Sequence, residues 1–150
     1  MVLTNGQLSA LQLFCSGENI LLLGDSGTGK STLISAFVQQ AEQSGKRVAK
    51  TASTGIAAQL IGGRTIHSLL RAYPGVRNEK IDYKEKAKNL DDVDVLIIDE
   101  ISMLGQFFVQ YLHNCLNCAS HHVQLVMSGD FFNCLRLKMN MLFYLHIGNC

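Results

Sequence analysis

Ile20-Leu21-Leu22-Leu23-Gly24-Asp25-Ser26-Gly27-Thr28-Gly29-Lys30-Ser31 decides how this sequence folds. An apolar run breaks on Gly24, glycines space a short loop, and Lys30-Ser31 opens a helical pattern. Every position of the G-x-x-x-x-G-K-[ST] phosphate-binding loop is filled, in the strand–loop–helix setting that such a loop requires. The glycines let backbone N–H groups wrap a polyphosphate, an approach that a Cβ obstructs. The helix from Lys30 aims the positive end of its dipole at the phosphates. Gly24, Asp25, Ser26, Gly27, Thr28, Gly29, Lys30, Ser31 and Thr32 are therefore the expected nucleotide-binding residues. Lys30 reaches the β- and γ-phosphates, and the Ser31 hydroxyl ligates magnesium. The bland alternative, a glycine-rich turn before an ordinary helix, does not account for a pattern filled at every position. The expected ligand is a nucleoside triphosphate with Mg2+.

A second stretch supplies the chemistry that such a loop lacks. Val93 to Ile98 reads as a buried strand, with Asp99-Glu100 at its C-terminal edge. In an open parallel sheet that edge faces the ligand crevice. Apolar residues followed by Asp-Glu match the Walker B pattern. Asp99 would hold magnesium through water or Ser31, and Glu100 would orient and deprotonate the attacking water. Adjacent residues of a strand point to opposite sides, which lets the two carboxylates take different roles. Acidic residues often end strands, so the pattern carries weight through its pairing with the loop. Val123 to Met127 reads as the next strand. Its polar end, Ser128-Gly129-Asp130, puts Gly129 and Asp130 near the γ-phosphate.

The bulk properties agree with one globular domain. The chain has 150 residues, 47% hydrophobic and 17% charged, with one proline; that length suffices for a proper core. No apolar run is long enough to span a bilayer, and Met1 to Gly6 lacks the basic region and cleavage site of a signal peptide. The expected location is intracellular, the nucleus or a mitochondrion if the source is eukaryotic, with the five cysteines reduced. A net charge of +1 sets up no global field for a nucleic acid, so any such binding belongs to a local groove.

The remaining segments fill in around these motifs. Leu3 to Phe14 has the spacing of an amphipathic helix, with Leu8, Leu11, Leu13 and Phe14 on one side and Thr4 or Asn5 as its cap. Gln7 lies in it; a carboxamide can pair with the amino group and ring nitrogen of adenine, although a lone glutamine on a helix is usually just solvated. Leu33, Ile34, Phe37, Val38 and Ala41 form the apolar stripe of a helix that Gly45 ends, and Arg47 to Thr51 reads as a strand. Thr51 to Ala58 is a hydroxyl-rich turn entering a small-residue helix, suited to holding a phosphate without reading a base, with Ser53 as the alternative cap of that helix. Gly62 to Leu70 adds a polar loop and a short helix, where His67 either touches a phosphate or packs; packing is favoured. Tyr73 to Asp92 reads as a solvated connection with one weak helix. Ile101 to Ala119 reads as one long helix. Its end carries His113, Cys115, Cys118, His121 and His122, a set from which a zinc site can be drawn. Structural zinc usually takes ligands from two separated knuckles, so ordinary helix packing is the better reading.

Together these strings resemble the first RecA-like domain of superfamily-1 DNA helicases of the PIF/RecD-like branch. The likeness runs over about residues 3–132, with 133–150 an atypical tail. Gln7 resembles the adenine-reading Q motif, and Gly24 to Ser31 motif I. Thr51 to Ala58 resembles the single-strand-contacting motif Ia, which Gly63-x-Thr65-x-His67-Ser68 continues. Asp99-Glu100-Ile101-Ser102-Met103 is similar to motif II running into the segment that marks PIF-type enzymes, and Gly129-Asp130-Phe131-Phe132 to the start of motif III. The resemblance implies a three-layer α/β P-loop NTPase fold with a mainly parallel sheet. It implies an ATP-dependent helicase moving 5′-to-3′ on single-stranded DNA, of the repair, recombination and telomere-maintenance class. ATP and Mg2+ would be its cofactors and Lys30, Asp99 and Glu100 its catalytic residues. Ser53, Thr54, Thr65 and His67 would be its DNA contacts.

The pattern departs from the family where motif III should continue with Gln-Leu-Pro-Pro. Here stands Asn133-Cys134-Leu135-Arg136, an asparagine one methylene shorter than the expected glutamine. The sheet reads as cut short at the C-terminus, and no second RecA-like domain follows, so the chain by itself is not expected to unwind a duplex. The apolar stretch Met139 to Ile147 would either patch the unfinished sheet or stay exposed. Two classes of function follow: the ATP-binding half of a helicase, or a nucleotide-binding module without turnover. A small-molecule kinase or another P-loop switch is a third reading, disfavoured by the motif Ia and PIF-type strings.

Overall fold

A computed structural model describes residues 3–25, 27–72 and 80–130, together with the backbone of 145–146. Its centre is a parallel sheet built from β1 (Ile20–Leu23), β2 (Val48–Ala52), β3 (Arg64–Thr65), β4 (Val95–Asp99), β5 (Gln124–Gly129) and β6 (Leu145–His146), in the spatial order β3-β2-β4-β5-β1-β6. Every strand pairing among the described residues is parallel, with Ile20 opposite Val126, Ile97 opposite Val126 and Thr51 opposite Ile98. The phosphate-loop strand β1 therefore lies beside β5, and β5 beside the Asp99 strand.

Strand side chains alternate between two cores, as a period of two demands. Val95, Ile97, Val126, Ile20 and Leu22 join one core with Leu33, Ile34, Phe37 and Ala41 of α2 (Lys30–Gln43) and Ala10 and Phe14 of α1 (Asn5–Cys15). Leu96, Ile98, Leu125 and Met127 join the other, beneath α4 (Ile66–Leu69) and α6 (Gln106–Asn117). Sheets buried on both faces use continuous apolar strands, which is why Val95 to Ile98 shows no polar alternation. Two short helices complete the set, α3 (Gly55–Leu60) and α5 (Tyr83–Ala87). The expected three-layer arrangement stands. No helix among the described residues is long and apolar enough to cross a membrane.

Several local expectations change. The helix α1 begins from Thr4, whose hydroxyl accepts from Gln7 N while Thr4 N donates to Gln7 Oε1 at 3.0 Å. The helix starts on this reciprocal capping box and packs with Gln7, Ala10 and Phe14 facing inward and Leu8 and Leu13 exposed. Phe14 stacks on Phe37 with ring centroids 4.6 Å apart, which docks α1 on α2. The long helix expected over 101–119 is broken. A 3₁₀ turn over Ile101–Met103 is followed by Leu104 in extended conformation, and α6 starts only after Gly105. A buried Leu104 and the glycine redirect the chain there. The helix in the polar connection is α5, capped by Asp82, while residues 73–79 lie outside the described set. So do Ser26, the residues from Phe131 to Asn133, and Cys134 to Tyr144. The sheet does not end at β5, because β6 adds Leu145 beside Leu22 and His146 beside Leu23. The apolar stretch therefore extends the sheet at those two residues.

Candidate active site at the carboxyl edge of the sheet

The loop after β1 turns because glycines occupy its left-handed positions. Gly27 has φ +84° and Gly29 φ +86°, conformations that cost an L-residue about 1–2 kcal/mol. A Cβ at Gly29 would come within 2.7 Å of Gln7 Nε2, so the Gln7 side chain would have to shift to admit it. Gln7 is thus packed against the phosphate loop and is not a solvated helix residue. Its Oε1 is engaged by the cap, with a second lone pair left on that oxygen. Thr28 closes the loop by donating from Oγ1 to Asp25 O at 2.8 Å.

Lys30 opens α2 and folds its ammonium over the loop. Nζ donates to Gly24 O and, at 2.8 Å, to Asp25 O, and lies 3.8 Å from Asp130 Oδ1. Asp130 thereby reaches the loop from the end of β5, as expected for the polar end of that strand. Gly129 closes β5, paired with Leu23. Ser31 and Thr32 are exposed on the first turn of α2.

Asp99 ends β4 next to Ser128 of β5. Its Oδ1 accepts from the Ser128 hydroxyl and, at 3.0 Å, from Glu100 N. Both bonds fall on one oxygen, and no described residue donates to Oδ2. Glu100 does not continue the strand. It sits in the left-handed region at φ +59°, uncommon for a non-glycine residue and costly to hold. The strand ends at Asp99, so the two carboxylates do not alternate along it, and they take different partners, Ser128 for Asp99 and Ser102 for Glu100. Four bonds hold the turn at Glu100: Ser53 Oγ donates to Glu100 O at 2.6 Å, Met103 N donates to the same oxygen at 3.3 Å, Ser102 Oγ donates to Glu100 Oε1 at 3.1 Å, and Ser53 N donates to Asp99 O at 3.2 Å. Ser102 and Ser128 were missed as site residues. The signals that could have found them are the polar end Ser128-Gly129-Asp130 of the Val123–Met127 strand and the string Asp99-Glu100-Ile101-Ser102-Met103.

The hydroxyl groups of the β2–α3 and β3–α4 segments play separate roles. Thr54 caps α3 by accepting from Ala57 N, and Thr65 caps α4 by accepting from Ser68 N. Each keeps its O–H proton free to donate. Ser53 caps nothing; its proton goes to Glu100. The His67 ring lies against Phe108 with centroids 4.1 Å apart, and burial lowers its pKa below the usual 6.5. The packing reading of His67 holds for this geometry.

The Cys115/Cys118 segment does not form a metal site. Cys115 is buried and its thiol is pushed up to about 12 by that burial. Cys118 is exposed, His113 bonds Asn117, and His121 Nε2 lies 2.8 Å from Val93 O. Among the described residues no group of three or more His, Cys, Asp or Glu side chains is placed to hold a metal.

A parallel sheet with a glycine loop after β1 and an Asp-Glu pair ending β4 defines a P-loop NTPase domain of RecA-like type. The AAA domain family matches residues 2–131, and the chain belongs to that family. Its similarity runs to the first RecA-like domain of Pif1 helicases. The ATP-dependent DNA helicase Pif1 of Bdellovibrio bacteriovorus is 43% identical over 104 residues, 65% of this chain and 23% of its own length. Two solved structures of Bacteroides Pif1, one in complex with ADP-AlF4 and one bound to single-stranded DNA, match with TM-scores of 0.72 and 0.68 at 32% and 33% identity. Each match covers 88% of this chain and 33% of the other. The chain thus spans about a quarter of that curated relative and about a third of those solved chains.

Proposed function

We propose that this chain is the ATP-binding and hydrolysing domain of a 5′-to-3′ DNA helicase. The observation that carries the reading is the convergence of Lys30, Asp99, Glu100 and Asp130 on one sheet edge, beside helix starts that present free hydroxyl protons. The residues fit magnesium–ATP. Gly27 and Gly29 hold the loop in left-handed conformations, Lys30 supplies a cation, and Asp99 keeps Oδ2 open. One carboxylate and one hydroxyl, with phosphate oxygens and water, are a usual Mg2+ set.

Bound nucleotide supplies the γ-phosphoryl group for transfer to water. Lys30 exchanges its carbonyl partners Gly24 and Asp25 for phosphate oxygens, where charge-assisted bonds are stronger. Ser31 Oγ and Asp99 hold the metal. Gln7 contacts the adenine from its place against Gly29, and Gly129 and Asp130 face the γ-phosphate side. Glu100, whose Oε1 accepts from Ser102, takes the proton of the attacking water. Thr54 and Thr65 donate hydroxyl protons to the DNA backbone, with His67 beside them. Backbone-led binding reads no base and weakens with salt.

ATP hydrolysis by the full chain, with and without single-stranded DNA, tests the reading. Hydrolysis stimulated by DNA is expected. Tight ATP binding with no turnover under either condition would favour a nucleotide-binding module instead.

A further inference from the structure

Ser53 holds a single hydroxyl proton with two possible claimants. In the structure that proton goes to Glu100 O, at 2.6 Å, while the Ser53 amide goes to Asp99 O. The same residue stands one position before Thr54, the cap of α3, and is only partly buried. A DNA phosphate is an acceptor only, so a strand reaching Ser53 must take the proton from Glu100. Among the described residues, Glu100 O would then keep only the Met103 amide, at 3.3 Å, as its donor. The left-handed backbone of Glu100 persists only while its surroundings over-determine it, and Ser53 supplies one of the bonds that do so. Glu100 N in turn anchors Asp99 Oδ1, which carries any change from the Glu100 backbone to the Asp99 carboxylate.

We propose that Ser53 is a positioning residue that couples the strand-binding surface to the Asp99–Glu100 pair through this one exchangeable hydrogen bond. The inference rests on the function proposed above and adds the residue by which its two ligands communicate. Coupling between binding sites is reciprocal, and is read as the ratio of one ligand's affinities with and without the other.

The test uses the full chain, a non-hydrolysable ATP analogue with Mg2+, and a labelled oligothymidine. In the wild type, saturating oligothymidine should change analogue affinity by about fivefold or more, and the analogue should change oligothymidine affinity by the same factor. In Ser53→Ala the ratio should fall to about one, and Ser53→Thr, which keeps the hydroxyl, should restore it. A merely structural role would alter the affinities and leave their ratio. A ratio that persists in Ser53→Ala overturns the inference, as does a wild-type ratio of one when both ligands bind. Failure of the wild type to bind oligothymidine overturns the DNA reading itself, and this inference with it.

Discussion

The two edges of the sheet use polar side chains in opposite ways. At the amino edge they are committed to one another. Arg47 donates to Asp94 from its backbone N, Nε and Nη2 and to Asp92 from Nη1, and the guanidinium holds the Asp94 carboxyl well below its usual range. Gln124, buried at the start of β5, donates to both Phe14 O and Glu18 O, and Asn19 Oδ1 accepts from Leu125 N. At the carboxyl edge the partners are ones that a ligand can replace. Lys30 rests on two loop carbonyls, Asp99 leaves one oxygen open, and two threonine caps keep their protons. The first edge fastens β2, β4, β5 and α1 together, while the second keeps its bonding capacity for something else. Fully satisfied buried polar groups rigidify a fold; exchangeable ones make a site.

The division is broken most severely by substitutions at the carboxyl edge that alter function and spare the fold. Glu100→Gln should leave magnesium–ATP bound and lower any hydrolysis by about a hundredfold or more. Persisting turnover in a steady-state assay would place the base elsewhere. Lys30→Ala should weaken magnesium–ATP binding by at least about tenfold in calorimetry, with the unfolding midpoint unmoved. Unchanged affinity would remove the phosphate-loop assignment.

A substitution at the amino edge should do the reverse. Gln124→Ala orphans two carbonyls, which entering water satisfies in part, so it should cost about 1 kcal/mol in denaturant unfolding. Its ATP affinity should equal the wild type's. A loss of affinity there would show that the edges are not independent.

The smallest effect concerns His67, which packs on Phe108 near the site. Its folded pKa lies below 6.5, so the unfolded chain binds the proton first. The stability this gives is complete above pH 6.5 and is lost as pH falls from there through the folded value. His67→Phe keeps an aromatic ring on Phe108 and should flatten the fall in melting temperature between about pH 7 and pH 5.5. An equal fall in both proteins would contradict this assignment.

The carboxyl edge was far more legible in the sequence than the amino edge. A glycine loop must present backbone to phosphate, so its residues are fixed in type and spacing, and Gly24 to Ser31 and Asp99-Glu100 could be read directly. The parallel sheet, though not its strand order, also followed from the sequence, since apolar strands alternating with helical stripes imply one. What could not be read depends on contacts between distant segments. The Arg47–Asp94 pair, the Gln124 clasp and the Ser53–Glu100 bond join residues about 50 to 100 positions apart, and no local pattern announces them. The helix expected over 101–119 failed for a related reason. Its apolar spacing is helical throughout, but burial of Ile101 and Leu104 beneath the strand end overrides that spacing before Gly105. The α1 face was misjudged because the docking of Ala10 and Phe14 on Leu33 and Phe37 of α2, a contact between separate segments, is what leaves Leu8 and Leu13 outside.

Amide hydrogen exchange of the whole chain, with and without magnesium–ATP, tests the separation of the two edges most directly. Nucleotide should slow exchange at the loop amides Gly27 to Ser31 and at Glu100, and leave Arg47, Asp94 and Leu125 unchanged. Protection confined to the amino edge, or spread evenly over both, would contradict the account.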